Sequence, residues 1–235
     1  MASNTPPIIL QTGKQPQHSI IWLHGLGADG SDFVPVAEEL QLPVPVRYVF
    51  PHAPMRPVTI NGGFVMRAWY DITEAAPAGG LKAGADSYQD GAGIRASQAI
   101  VEDLIARERD AGIAPHNLFL AGFSQGGAIV LHTALRHHTA LGGVLALSTY
   151  LPLADSAKAE RAALTLATPI FMAHGRNDPV IPPGMGSASR DILAGYGYTV
   201  EWHEYAMPHS VCDEELRDIE AWLSRRLAPR QGASN

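Results

Sequence analysis

Residues 122–127, Gly-Phe-Ser-Gln-Gly-Gly, stand between a short apolar run, Asn117–Ala121, and a helix-like run, Ala128–Leu135. No other feature restricts the fold so strongly. A Gly-x-Ser-x-Gly at a strand-to-helix turn holds its serine hydroxyl out of a tight bend above a sheet. The bent serine backbone leaves no room for a Cβ on its neighbours, which is why they are glycines. Taken alone, Ser124 is either the nucleophile of such an elbow or a structural turn serine. The rest of the chain has to decide between them.

Strand-like and helix-like segments alternate from end to end. Strands are expected at Ile8–Thr12, Ser19–Leu23, Val46–Phe50, Ala68–Tyr70, Leu118–Ala121, Gly143–Leu147, Ile170–Ala173 and Val200–Tyr205. Ile20–Leu23 and Val144–Leu147 are unbroken apolar runs, the pattern of central strands covered on both faces. Ser87-Tyr88-Gln89-Asp90 has capping-box spacing, and Ile94, Val101, Leu104 and Ile105 follow at helical intervals. Ser210–Asp213 opens a last helix whose buried stripe is Leu216, Ile219, Ala221–Leu223 and Leu227. Such alternation implies an α/β fold with a mostly parallel central sheet flanked by helices on both faces. Pro51–Pro57 and Glu74–Gly84 read as irregular loops, and the tail after Leu227 as frayed. No repeat or linker divides the chain, so one domain is expected, with its core over about residues 8–227.

Composition excludes several functions. With 46% hydrophobic and 17% charged residues the chain is an ordinary globular one. A net charge of -6 and the absence of any Lys/Arg cluster argue against a nucleic-acid partner. The first ten residues lack the basic and apolar regions of a secretory signal, and no apolar run reaches membrane-spanning length, so no integral membrane association is expected. The single cysteine, Cys212, cannot form an internal disulfide, which fits a cytoplasmic location.

A serine hydroxyl is a poor nucleophile at neutral pH; it needs a base within hydrogen-bond reach and an acid to orient that base. In the chain order of strand-turn-helix hydrolases, the acid comes next and the histidine last. Candidate acids after Ser124 are Asp155, Asp178 and Asp191, with Glu201 and Glu204 behind them. Asp178 stands out because it lies in a loop off the carboxyl end of a strand, although an Asx turn before Pro179 would also explain it. His209, between the strand Val200–Tyr205 and the last helix, has the position required of the base. The glycine-rich loop His24–Gly30 follows another strand and can supply an N–H to a developing oxyanion, the second coming from Gln125. It lacks the spacing of a phosphate or dinucleotide cradle. His132, His137 and His138 lack metal-site spacing and read as solvated. His18 reads as a surface residue, His116 has no obvious partner, His203 reads as packing, and Cys212 as a small residue in a helix's first turn.

His24-Gly25-Leu26-Gly27, Pro51-His52-Ala53-Pro54, Trp69-Tyr70-Asp71, Gly122–Gly127, Leu147–Pro152, His174-Gly175 with Asp178-Pro179-Val180, and His209 together resemble the phospholipase/carboxylesterase family. That family contains bacterial carboxylesterases and acyl-protein thioesterases, and the resemblance runs from about Ile8 to Leu227. It implies an α/β-hydrolase fold with no large lid domain. It also implies a nucleophile at Ser124, an acid at Asp178, a base at His209 and oxyanion donors at Leu26 and Gln125. Trp69 falls in a segment that borders the acyl-binding side of the family's cleft; on its own it reads equally as a core aromatic. Ala28, where many thioesterase relatives carry an acidic residue, and Thr149-Tyr150 point toward the carboxylesterase branch. The expectation is a serine carboxylesterase acting on short- to medium-chain esters, the alternative being an acyl-protein thioesterase or lysophospholipase with the same triad. A non-catalytic binding protein of this fold is more remote. The implied partner is a small-molecule ester or thioester, with no metal or organic cofactor, and both monomers and homodimers occur in the family.

Overall fold

The structure, a computed structural model, describes residues 5–73 and 89–228. In chain order its elements are β1 (Ile8–Gln11), β2 (His18–Leu23), α1 (Val34–Glu39), β3 (Val46–Phe50), β4 (Met55–Val58) and β5 (Phe64–Arg67). There follow α2 (Gly91–Asp110), β6 (Leu118–Phe123), α3 (Gln125–Arg136), β7 (Gly143–Leu147), α4 (Ala154–Glu160), β8 (Ile170–Gly175), α5 (Pro183–Gly195), β9 (Val200–Tyr205) and α6 (Asp213–Leu227). Seven strands form one sheet in the order β1-β3-β2-β6-β7-β8-β9. All neighbours run parallel except β1, which pairs antiparallel with β3.

The apolar runs produce two separate cores because side chains alternate across each strand. Ile21, Leu120, Val144 and Met172 face one side, where they pack with Ile94 and Val101 of α2 and Ile129 of α3. Ile20, Phe119, Leu145 and Phe171 face the other, against Ala37 of α1 and Ile219, Trp222 and Leu223 of α6. With helices on both sides, every central strand is buried along its length.

Three expectations need correction. Ala68–Tyr70 is not a strand, although all three residues are buried; the strand is β5, which ends one residue earlier. β5 pairs with β4, inside the segment read as irregular, to form a separate two-stranded antiparallel sheet. Pro57 hid that strand, since proline is tolerated only where no ladder N–H is needed. Helix α2 starts at Gly91 and is capped by Asp90, whose carboxylate accepts from Gly93 N at 2.8 Å. Asp90 is therefore the cap itself and not the closing residue of a box begun at Ser87. Ser87 and Tyr88, the 74–84 loop and the tail from 229 lie outside the described residues.

Candidate active site

The bend between β6 and α3 places Ser124 at φ 53°, ψ -120°, a region L-residues occupy only under constraint. Its N–H donates to Leu147 O of β7 at 2.9 Å. Its carbonyl accepts from Ala128 N at 3.1 Å and from Thr149 Oγ1 at 2.7 Å. The glycines are there for space: a Cβ on Gly122 would lie 2.5 Å from Gly126 C and O, and one on Gly126 would lie 2.5 Å from Leu23 O. The serine side chain caps nothing in α3 and is 8% exposed.

Asp178, in the loop after β8, has a fully buried carboxylate with its two oxygens assigned to different tasks. Oδ1 accepts from Val180 N at 2.8 Å and Ile181 N at 2.9 Å, which is the Asx-type turn. Oδ2 accepts from His209 Nδ1 at 2.7 Å. The Asx-type turn uses one oxygen and leaves the other to His209. The other acids bond elsewhere: Asp191 to Arg190, Glu201 to Arg225, and Glu204 to the Trp202 indole. The His209 ring packs on Phe123, the residue before Ser124, with centroids 4.7 Å apart. Phe123 in turn packs on Phe33 and Phe33 on Trp22, an aromatic row that supports the imidazole beside the elbow.

The loop after β2 lies against this elbow. A Cβ on Gly25 would sit 3.5 Å from the Cβ of Ser124. His24 is buried and fully used: its Nε2 accepts from Ala53 N at 3.0 Å, so Nδ1 carries the proton and donates to Gly25 O at 2.7 Å. Burial lowers its pKa to about 4, which keeps it neutral at physiological pH. Among the described residues, neither Leu26 N–H nor Gln125 N–H has an acceptor, while Gly27 N donates to Arg67 O at 2.9 Å.

Trp69 is wholly buried, so solvent does not reach its ring. Its indole N–H donates to His24 O at 2.9 Å, and its backbone N–H donates to Gln125 Oε1 at 2.7 Å. Gln125 Nε2 donates to Tyr70 O at 2.7 Å. Trp69 and the Gln125 side chain thus tie the donor loop to the elbow, from behind.

Sequence reasoning missed several supports. Phe123, Thr149 and the ring of His24 had no signal of their own, because neither their residue types nor their spacing announces a contact across the sheet. His174 is buried, donates from Nε2 to Ile181 O at 2.9 Å and lies 3.5 Å from Asp178 Oδ2; burial lowers its pKa. Two histidines read as solvated are not. His132 is buried under α2, where desolvation lowers its pKa to about 3, and His137 is buried against Glu102 at 2.7 Å. His138 is exposed, as expected. His203 packs on Phe171, and Cys212 occupies the position just before α6 without a side-chain capping bond.

A model of the phospholipase/carboxylesterase family matches residues 4–227. Acyl-protein thioesterase 1 of Gibberella zeae is 37% identical over 232 residues, covering 95% of this chain and 97% of that one. A probable carboxylesterase of Oryza sativa is 35% identical over 222 residues, 92% of this chain and 80% of that one. The crystal structure of SOBER1 from Arabidopsis thaliana superposes with a TM-score of 0.82 at 33% identity, covering 89% of this chain and 99% of that one.

Proposed function

The chain belongs to the phospholipase/carboxylesterase family of α/β-hydrolases, serine hydrolases that cleave esters and thioesters, and on that premise we propose that it is an acyl thioesterase working through Ser124, His209 and Asp178. The observation that carries the chemistry is the 2.7 Å hydrogen bond from His209 Nδ1 to the buried Asp178, beside a serine held at φ 53°. The near full-length likeness to acyl-protein thioesterase 1 favours a thioester over the short- to medium-chain carboxylic ester put first on sequence grounds. The lean drawn from Ala28 and Thr149-Tyr150 gives way to it.

His209 Nε2 takes the Ser124 proton as Oγ attacks the acyl carbonyl. Asp178 holds the ring in the Nδ1–H tautomer and stabilises the imidazolium that forms. The N–H groups of Leu26 and Gln125 receive the oxyanion. His209 then protonates the departing thiolate, and water repeats the cycle on the acyl-enzyme. Trp69, with no exposed surface, ties the donor loop to the elbow from behind. Among the described residues no helix is long and apolar enough to cross a membrane. The lone Cys212 suits a reducing, cytoplasmic setting.

A fluorophosphonate probe tests the chemistry: it should label the native chain and leave Ser124→Ala unlabelled. Equal labelling of both sinks the reading. Parallel kcat/KM values for an S-acylated peptide, acyl-CoA, lysophosphatidylcholine and p-nitrophenyl esters of rising chain length test the substrate class. A clear preference for oxygen esters of short chains returns the assignment to a carboxylesterase.

A further inference from the structure

Each N–H that faces the reacting carbonyl belongs to a peptide unit whose carbonyl oxygen is itself tied down. Leu26 N–H shares its peptide with Gly25 C=O, which accepts from His24 Nδ1 at 2.7 Å. Gln125 N–H shares its peptide with Ser124 C=O, which accepts from Thr149 Oγ1 at 2.7 Å. A trans peptide is rigid and planar, with its N–H and C=O pointing in opposite directions. Fixing one end therefore aims the other. The geometry assigns His24 and Thr149 as the positioning residues of the oxyanion site, each acting through one peptide plane.

The rest of the surroundings fits this assignment. Ser124 O also accepts from Ala128 N at 3.1 Å, the ordinary first bond of α3. Helical geometry alone could therefore hold that plane loosely, and the Thr149 hydroxyl adds a second constraint from across the sheet. Thr149 is 1% exposed, so its hydroxyl has no water to compete for it. Its methyl group occupies the space that a Cβ on Gly127 would enter, at 2.7 Å, so packing fixes the rotamer that delivers the hydroxyl. The Gly25 plane has no helix to hold it. It depends on the His24 ring, which Ala53 N–H anchors at its other nitrogen, and on Trp69, which holds the preceding carbonyl. Neighbouring N–H groups are already spent: Gly27 N donates to Arg67 O, and Ser124 N to Leu147 O. Donors that need no reorganisation when the charge develops lower the barrier more than donors that must turn.

This inference rests on the Ser124 reading but can fail without it. Thr149→Val keeps the methyl contact and removes only the donor, whereas Thr149→Ser keeps the donor and removes the methyl. The expected result for Thr149→Val is a fall in kcat of about tenfold to a hundredfold, smaller than the loss of a direct oxyanion donor, with KM little changed. Affinity for a trifluoromethyl ketone, which binds as an oxyanion, should fall by a similar factor. Thr149→Ser should recover most of both. A Thr149→Val enzyme that keeps its kcat and its ketone affinity overturns the assignment, as does a Thr149→Ser enzyme equally impaired. Fluorophosphonate labelling of the wild type keeps the two questions apart. Label on Ser124 together with an unimpaired Thr149→Val refutes only the positioning role, while no label refutes the Ser124 reading beneath it.

Discussion

Asp178 distributes its hydrogen bonds so that a single-atom change has a definite consequence. In Asp178→Asn, the oxygen remains with Val180 and Ile181 N–H, which can only donate, and the new NH2 turns toward His209. Two donors then face each other across Nδ1. The ring shifts to the other tautomer, with its proton on Nε2, and can no longer accept one from Ser124. By analogy with other serine triads, kcat should fall by about 10⁴ while the fold is kept. Steady-state kinetics with a circular dichroism control check this, and a loss under tenfold would count against Asp178 as the orienting acid. Gly126 makes a steric prediction instead. A methyl there meets Leu23 O at 2.5 Å and His24 O at 2.6 Å, backbone atoms on both counts. Gly126→Ala should cost about 1–3 kcal/mol and also reduce kcat, because the clash pushes on the donor loop. Gly184→Ala, in α5 with nothing within 4 Å, is the matched control and should be neutral or slightly stabilising in urea denaturation.

Helix α6 carries an element-scale cost beside the site. It starts four residues after His209 and buries Glu215 in its first turn, where neither carboxyl oxygen has a side-chain partner. Burial raises that pKa from 4.5 to about 8, with the Cys212 backbone opposing the shift in part. Between these values the native chain binds a proton that the unfolded chain has lost. Stability contributed by this group is complete below about pH 4.5, falls as pH rises to about 8, and then levels off. Glu215→Gln should remove that slope and stabilise the protein at pH 9 relative to wild type, by an amount on the order of a few kcal/mol. Urea midpoints of both proteins at pH 5 and pH 9 provide the measurement, and parallel slopes would refute it. The elements themselves were unevenly legible in the chain. Central strands such as Val144–Leu147 announce themselves, since burial on both faces demands an unbroken apolar run. The β4–β5 hairpin does not: Met55-Arg56-Pro57-Val58 contains a proline and, among the described residues, has no partner beyond β5. Ala68–Tyr70 misleads in the opposite sense, because burial under loops calls for the same apolar residues as burial in a sheet.

At the scale of the whole molecule, buried imidazoles oppose Glu215. His24 and His132 titrate near 4 and 3 in the fold, against 6.5 in the open chain. Below 6.5 the unfolded chain therefore binds more protons at these two sites, and stability falls with pH. At pH 5.5 these two groups outweigh Glu215; by pH 7 they have mostly lost their protons in the unfolded chain and Glu215 outweighs them. His18, His52 and His174, whose pKa values burial also lowers, add to the acid-side decline, so stability has a maximum between that decline and the alkaline one from Glu215. Denaturation midpoints from pH 4.5 to 9 test this, and a monotonic curve would rule it out. The same two histidines separate what local pattern can say from what packing decides. His132 sits on α3 with no local signal, yet α2 crosses above it and removes it from water; a one-dimensional pattern does not record which helix lies on top. The chain by itself determined the parallel α/β sheet, the elbow at Ser124 and the order in which Asp178 and His209 follow it. Those depend on residue type, on periods of two and 3.6, and on backbone sterics within a few residues. Only the tertiary structure decided that Phe123 would support His209, that Asp178 would divide its oxygens, and that His24 and Thr149 would hold the two peptide planes. Phe123 meets His209, Asp178 meets His209 and Thr149 meets Ser124 across segments far apart in sequence. The His24 ring, though it bonds its neighbour Gly25, is set by Ala53 N–H from another loop. These side chains reach their partners only once the sheet has formed.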